Sequence, residues 1–75
     1  MSEFSEEVLN LVSLDYWRKE APEIVNLRES YGRVMKHLCN GRDKAWRSEA
    51  WRNYSIAITE LENSCMRAIK AMYSI

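Results

Sequence analysis

Two apolar seams of matching period meet across one strong break in this chain, and an antiparallel pair of helices is the arrangement that satisfies both. Before the break, Ile24, Leu27, Tyr31, Val34 and Leu38 follow one another at intervals of three and four residues. After it, Trp51, Tyr54, Ile58, Leu61, Cys65, Ala68 and Met72 do the same. That alternation keeps one stripe of a helix facing a neighbour. The break is Asn40-Gly41-Arg42-Asp43, a glycine suited to the position just past a helix end followed by an aspartate able to cap the next helix. Pro22 suits a first helical position, where its missing N–H is not needed, and Glu23 favours the positive end of the dipole. The pattern predicts helices over 22–39 and 43–73 joined as an αα-hairpin. Upstream, Ser2 or Ser5 can cap a short helix within 1–14 whose Phe4, Val8, Leu11 and Val12 form an apolar stripe. The expected fold class is all-α, a short N-terminal helix plus an antiparallel helical hairpin, assembled as an oligomeric bundle.

The expectation of assembly comes from the register. Folding at Gly41 places Val34 by Trp51, Tyr31 by Tyr54, Leu27 by Ile58 and Ile24 by Leu61. The outgoing helix then overhangs its partner by roughly seven residues, or about 10 Å. Cys65, Ala68, Ile69 and Met72 would need another cover. Trp46, Ile56, Met66 and Tyr73 also lie off the main seam, and neighbouring protomers are the usual way to bury such a surface. A chain of 75 residues has a thin core in any case.

Composition narrows the class. The chain is 47% hydrophobic with three Trp, four Tyr, two Gly and one Pro, which is globular rather than disordered. Formal net charge is zero, against a general polyanion or duplex nucleic-acid binder. The balance is uneven: acids dominate from Met1 to Glu23, while Arg28, Arg33, Lys36, Arg42, Lys44, Arg47 and Arg52 make the middle electropositive. The opening Met-Ser-Glu-Phe-Ser-Glu-Glu is acidic where a signal peptide is basic, and no apolar run reaches a membrane span of about 18 residues. A cytoplasmic protein that engages no membrane is expected.

Few residues suggest catalysis. Cys39 and Cys65 lack CxxC spacing, and in this register they lie roughly 30 Å apart along the helix axis, too far for a disulfide. Both read as small core or interface residues, no metal site or cofactor is expected, and His37 has no triad partner. Glu60 and Glu62, two apart, point to different helix faces. The informative stretch is Ala45-Trp46-Arg47-Ser48-Glu49-Ala50-Trp51-Arg52, where an Ala-Trp-Arg triplet recurs after five residues. Arginine offers paired donors to phosphate and tryptophan a flat face to a purine, the components of a nucleotide pocket. Pure packing accounts for the same residues differently: Trp51 in the seam, Trp46 in an oligomer contact, and both arginines paired with acids. Arg28, Tyr31 and Arg33 form a second Arg-aromatic group on the incoming helix.

The stretch Ile56-Ala57-Ile58-Thr59-Glu60-Leu61-Glu62-Asn63-Ser64-Cys65-Met66, followed by Lys70-Ala71, resembles the small phage anti-CBASS proteins that sponge up cyclic oligonucleotide signals, a helical-hairpin family shared with certain anti-Thoeris sponges. Its pattern is Ile-Ala, Thr, Leu-Gln, then Gly-x-Met and an Arg-Ala pair. Here Ser64 stands for the Gly, Glu62 for the Gln and Lys70 for the Arg, and Trp51 comes two positions early. In the N-terminal half, Tyr16 and Glu23-Ile24-Val25-Asn26-Leu27 are similar to the family's incoming segment, and Arg28 takes the place of its phosphate-binding base. The resemblance implies a homo-oligomer, typically a hexamer, that holds cyclic dinucleotides, and in some members cyclic trinucleotides, between protomers and catalyses nothing. Together with the two Arg-aromatic groups, it gives Tyr16, Arg28, Tyr31, Arg33, Arg47, Trp51 and Arg52 as the expected ligand residues. The competing reading is a small phage inhibitor or adaptor that lays its long apolar helix on a host protein. A helix-turn-helix DNA binder ranks below both, because the turn joins two long packed helices.

Overall fold

In a computed structural model, which describes residues 3–15 and 19–74, three helices follow in the order α1 (Glu6–Leu11), α2 (Pro22–Lys44) and α3 (Glu49–Tyr73), with no strand among the described residues. Tyr16, expected to touch ligand, lies outside the described residues. The Ser5 hydroxyl caps α1 by accepting from the Val8 amide at 3.3 Å. The helix then stops on a left-handed Ser13, φ 54°, with the Leu14 amide returned to the Leu9 carbonyl and the Ser13 amide to Asn10. This is the Schellman closure, in which orphan carbonyls are satisfied by the chain's own reversal. Six residues are too few to hold a helix alone. Burial of Phe4, Val8, Val12 and Leu14 holds this segment instead, and Phe4 lies across Gly32 of α2, where a Cβ would stand 3.0 Å from its ring.

Pro22 opens α2 as the sequence predicts, and α3 ends at Tyr73 as expected. Between them the turn moves. α2 continues through Asn40 and Gly41 to Lys44, the chain reverses over residues 45–48, and Ser48 rather than Asp43 caps α3, its hydroxyl accepting from the Trp51 amide at 3.3 Å. The cause lies at Gly41, which keeps an ordinary helical φ and carries the phenol ring of Tyr54 directly on its backbone; a methyl group there would overlap that ring. Glycine is present for close approach, not for a left-handed bend. The packing outweighs the roughly 1 kcal/mol that a mid-helix glycine costs.

The moved turn resets the register. Tyr31 meets Ser64 across the hairpin, their hydroxyls 2.9 Å apart, and Gly41 meets Tyr54. Each residue of α2 thus faces a partner ten positions further along than a turn at Gly41 would give. The expected overhang disappears, because α2 now reaches the level of Met72. Cys65 and Ile69 are buried within the protomer, in one core with Ile24, Met35, Cys39, Ile58 and the N-terminal segment. Met35, at 0% exposure, is its centre. Cys39 and Cys65 are both free and buried, about 13 Å apart along the axis rather than 30 Å, still beyond bridging distance.

On α2 the buried positions are Ile24, Arg28, Gly32, Met35 and Cys39, one step round the helix from the predicted seam. Leu27, Tyr31 and Leu38 pack at its edge, and Val34 remains 48% exposed. The reason is the third element: α2 serves both α3 and the N-terminal segment, so its most buried line runs between them. The Cα envelope measures 41 × 28 × 13 Å. One face of the hairpin is covered by residues 4–14, and no described element covers the opposite face.

Candidate functional site

The arginines predicted to share a ligand fall into two different environments. Arg28 is 7% exposed. Its Nε and Nη2 donate to the Glu20 carboxylate at 3.2 and 3.3 Å, and its Nη1 donates to the Val12 carbonyl at 3.0 Å. Glu20 also accepts from the Tyr73 hydroxyl at 2.7 Å. This guanidinium therefore closes the end of α1, pins the segment entering α2 and, through Glu20, holds the last turn of α3. Three of its five N–H donors are thus engaged within the fold, and it lies buried at the far end of the hairpin from Arg47 and Arg52.

Arg42 is likewise engaged. It grips Glu7 of α1 with two bonds of 2.9 and 3.0 Å and touches Asp43. The guanidinium holds the Glu7 carboxyl below the usual carboxylate range. Beside this pair, burial pushes the Cys39 thiol up, and burial does the same to Cys65, so neither sulfur is an activated nucleophile. No group of acids, histidines and cysteines able to hold a metal occurs among the described residues.

Two cations at the hairpin end stand apart from these ion pairs. Arg47 and Arg52 form no ion pair with a described residue. Arg47 lies over the Trp46 ring, 5.8 Å from its centroid, and Trp46 meets Trp51 edge to face at 5.5 Å and 87°. Trp51 is half-buried rather than a core residue, and Trp46 is 64% exposed. Trp51 and Arg52 open a shallow groove continued by Ser55, Ile56, Thr59 and Glu60. Further along, Asn63, Met66, Arg67, Lys70, Ala71 and Ser74 line a second open trough. Arg52, Ile56, Thr59, Asn63, Met66, Lys70 and Tyr73 are all exposed and recur at intervals of four and three. They make a second seam on α3, mixed apolar and cationic, facing away from α2.

Tyr31 and Arg33 belong to neither cluster. Tyr31 is tied to Ser64, Arg33 donates to Ser30 at 3.0 Å, and Tyr31 with Leu27, Ser30, Val34 and Leu61 lines a groove of about 180 Å³ between α2 and α3. Trp51 faces the level of Lys44, so the tip cluster and the Tyr31 group stand about 20 Å apart along the axis. A single protomer links Arg47 to Trp51 through Trp46 and sets Arg52 in the same groove as Trp51, and leaves Tyr31 and Arg33 apart from them. The sequence did not place Trp46 among the ligand residues; its doubled Ala-Trp-Arg triplet was the signal that could have done so.

No helix among the described residues is long and apolar enough to cross a membrane. No known family, curated protein or solved structure matches this chain.

Proposed function

We propose that this chain binds and sequesters cyclic di- and trinucleotide immune signals without altering them, and so blocks a host anti-phage defence from within the host cytoplasm. The observation that carries this reading is the tip cluster, Arg47 over Trp46 and Arg52 beside Trp51, neither arginine with an acid partner among the described residues. Guanidinium groups suit phosphates, aromatic faces suit bases, and an exposed cluster of both matches an anionic ligand with flat rings. The pattern at residues 56–71 that resembles the phage sponges points the same way.

Neighbouring copies would complete the site, in a homo-oligomer that the resemblance suggests is a hexamer. Two features support assembly: the outer seam of α3 has helix-pair spacing, and the Tyr31–Arg33 group is too distant to meet the tip cluster within one protomer. Titration calorimetry with a panel of cyclic di- and trinucleotides tests the reading. Binding tighter than micromolar to at least one is expected, with intact nucleotide recovered on denaturation, and no such binding across the panel refutes it.

The outer seam also favours a second reading, a docking face for a helix of a host protein. A pull-down that recovers one stoichiometric host protein, unaffected by added nucleotide, would support that reading over the first.

A further inference from the structure

The chain closes its hairpin with a four-residue turn, the Ser48 amide donating to the Ala45 carbonyl at 2.9 Å. The third residue of this turn, at φ 64°, is in the left-handed region, a place that favours glycine or asparagine because a Cβ is strained there. Arg47 occupies it. For closure of the hairpin alone, glycine would serve better. What the arginine contributes instead is position: from the left-handed backbone its guanidinium lies over the face of Trp46, and it has no acid partner among the described residues. Trp46 in turn is steadied by the edge-to-face contact with Trp51 while most of its own surface stays in water. Strain kept in a non-glycine residue, beside a large aromatic left exposed, is an arrangement found where binding rather than folding sets the residue choice.

We infer that Trp46 is the base-stacking platform of the nucleotide site and that Arg47 is its phosphate-pairing residue. A purine ring stacks on the face of Trp46, and the guanidinium that lies over that face in the free protein turns to the ligand's phosphate. The two contacts are matched in chemistry, since stacking tolerates any base and a planar fork of donors suits a phosphodiester. The inference rests on the cyclic-nucleotide reading above. It adds Trp46 to the residues that touch ligand and fixes the centre of the site at the turn rather than on α2.

The test is titration of the full chain with cyclic di-adenylate, cyclic di-guanylate and cyclic tri-adenylate. Wild type is compared with Trp46→Ala, Arg47→Gly and Trp46→Phe, with circular dichroism on each. Trp46→Ala removes an exposed ring, and Arg47→Gly suits the backbone, so both should keep wild-type helicity. Each is expected to lose at least fivefold in affinity for the tightest-binding nucleotide. Ligand should also quench tryptophan emission in wild type and not in Trp46→Phe, a readout that does not depend on how the Ala and Gly variants fold. If wild type binds but the Ala and Gly variants lose less than fivefold, or if quenching persists in Trp46→Phe, the platform is wrong and the proposed function stands. If wild type binds none of the three nor any other member of the wider panel, both fall together.

Discussion

Arg28 and Arg47 are the same side chain put to opposite uses at the two ends of one hairpin. Arg28 is enclosed, with donors divided between a carboxylate and a carbonyl, and it locks three segments together. Arg47 is exposed on a strained backbone, with an aromatic ring as its neighbour and no carboxylate partner among the described residues. A guanidinium counted from sequence is thus only half a statement. Its meaning depends on whether an acid reaches it: Glu20 reaches Arg28 from the segment before α2, eight residues back, while Glu49, the acid nearest the tip, makes no ion pair with Arg47 or Arg52.

The contrast breaks most sharply at Arg28. Replacing it by alanine takes the Arg28 guanidinium away from the largely buried Glu20 carboxylate, and removing one partner of a buried pair commonly costs about 3 to 5 kcal/mol. Arg28→Ala should therefore unfold far more easily in urea or heat, whereas a ligand-binding role would leave stability intact. A smaller loss is expected at the other close-packed point. Gly41→Ala forces Tyr54 off the α2 backbone, and overpacking minus the better helix propensity of alanine should leave a net loss of about 1 to 2 kcal/mol, read from the denaturation midpoint.

At the tip the sign reverses. Arg47→Gly relieves the left-handed strain and should stabilise the chain by about 0.5 to 1 kcal/mol by the same measurement, while weakening nucleotide binding. An Arg47 chosen for folding would show the opposite.

The smallest effect concerns pH. Glu7 has its pKa depressed by the Arg42 guanidinium, so its contribution is complete above the ordinary value of 4.5 and is lost as pH falls through the lower folded value. Melting temperature should decline less steeply between pH 5 and about pH 3 in Glu7→Gln than in wild type, because the variant has no such proton to take up. Salt should weaken the tie as well, because Glu7 is half exposed.

The helices themselves were legible because their signals are local. Pro22 at the first turn, the Ser5 cap and the seam of α3 through Ile58, Leu61, Cys65 and Met72 each follow from neighbouring residues, and each is present in the structure. The turn was not legible from the same kind of rule, because Gly41 has two uses and only the ring of Tyr54, thirteen residues away, decides between them. That one reading carried the register, the overhang and half of the argument for assembly with it. Trp46, Ile56, Met66 and Tyr73, placed off the seam by spacing alone, are exposed in the structure, and so is Val34. Of the candidate site, Arg47, Trp51 and Arg52 come together as their sequence proximity implied. Arg28 does not join them, since nothing in its local sequence shows that its partners are Glu20 and the end of α1.

The central claim is that the tip arginines act on a ligand and not on the fold, and Arg52 tests it most directly because its side chain has no described partner to lose. Titration of wild type and Arg52→Ala with the cyclic nucleotide that binds most tightly, at one salt concentration and with helicity monitored, should show affinity weakened by about 10- to 150-fold. That corresponds to roughly 1.5 to 3 kcal/mol for a hydrogen bond to a charged group, with an unchanged helical spectrum. Equal affinity in the two proteins, or a loss accompanied by unfolding, would contradict the account.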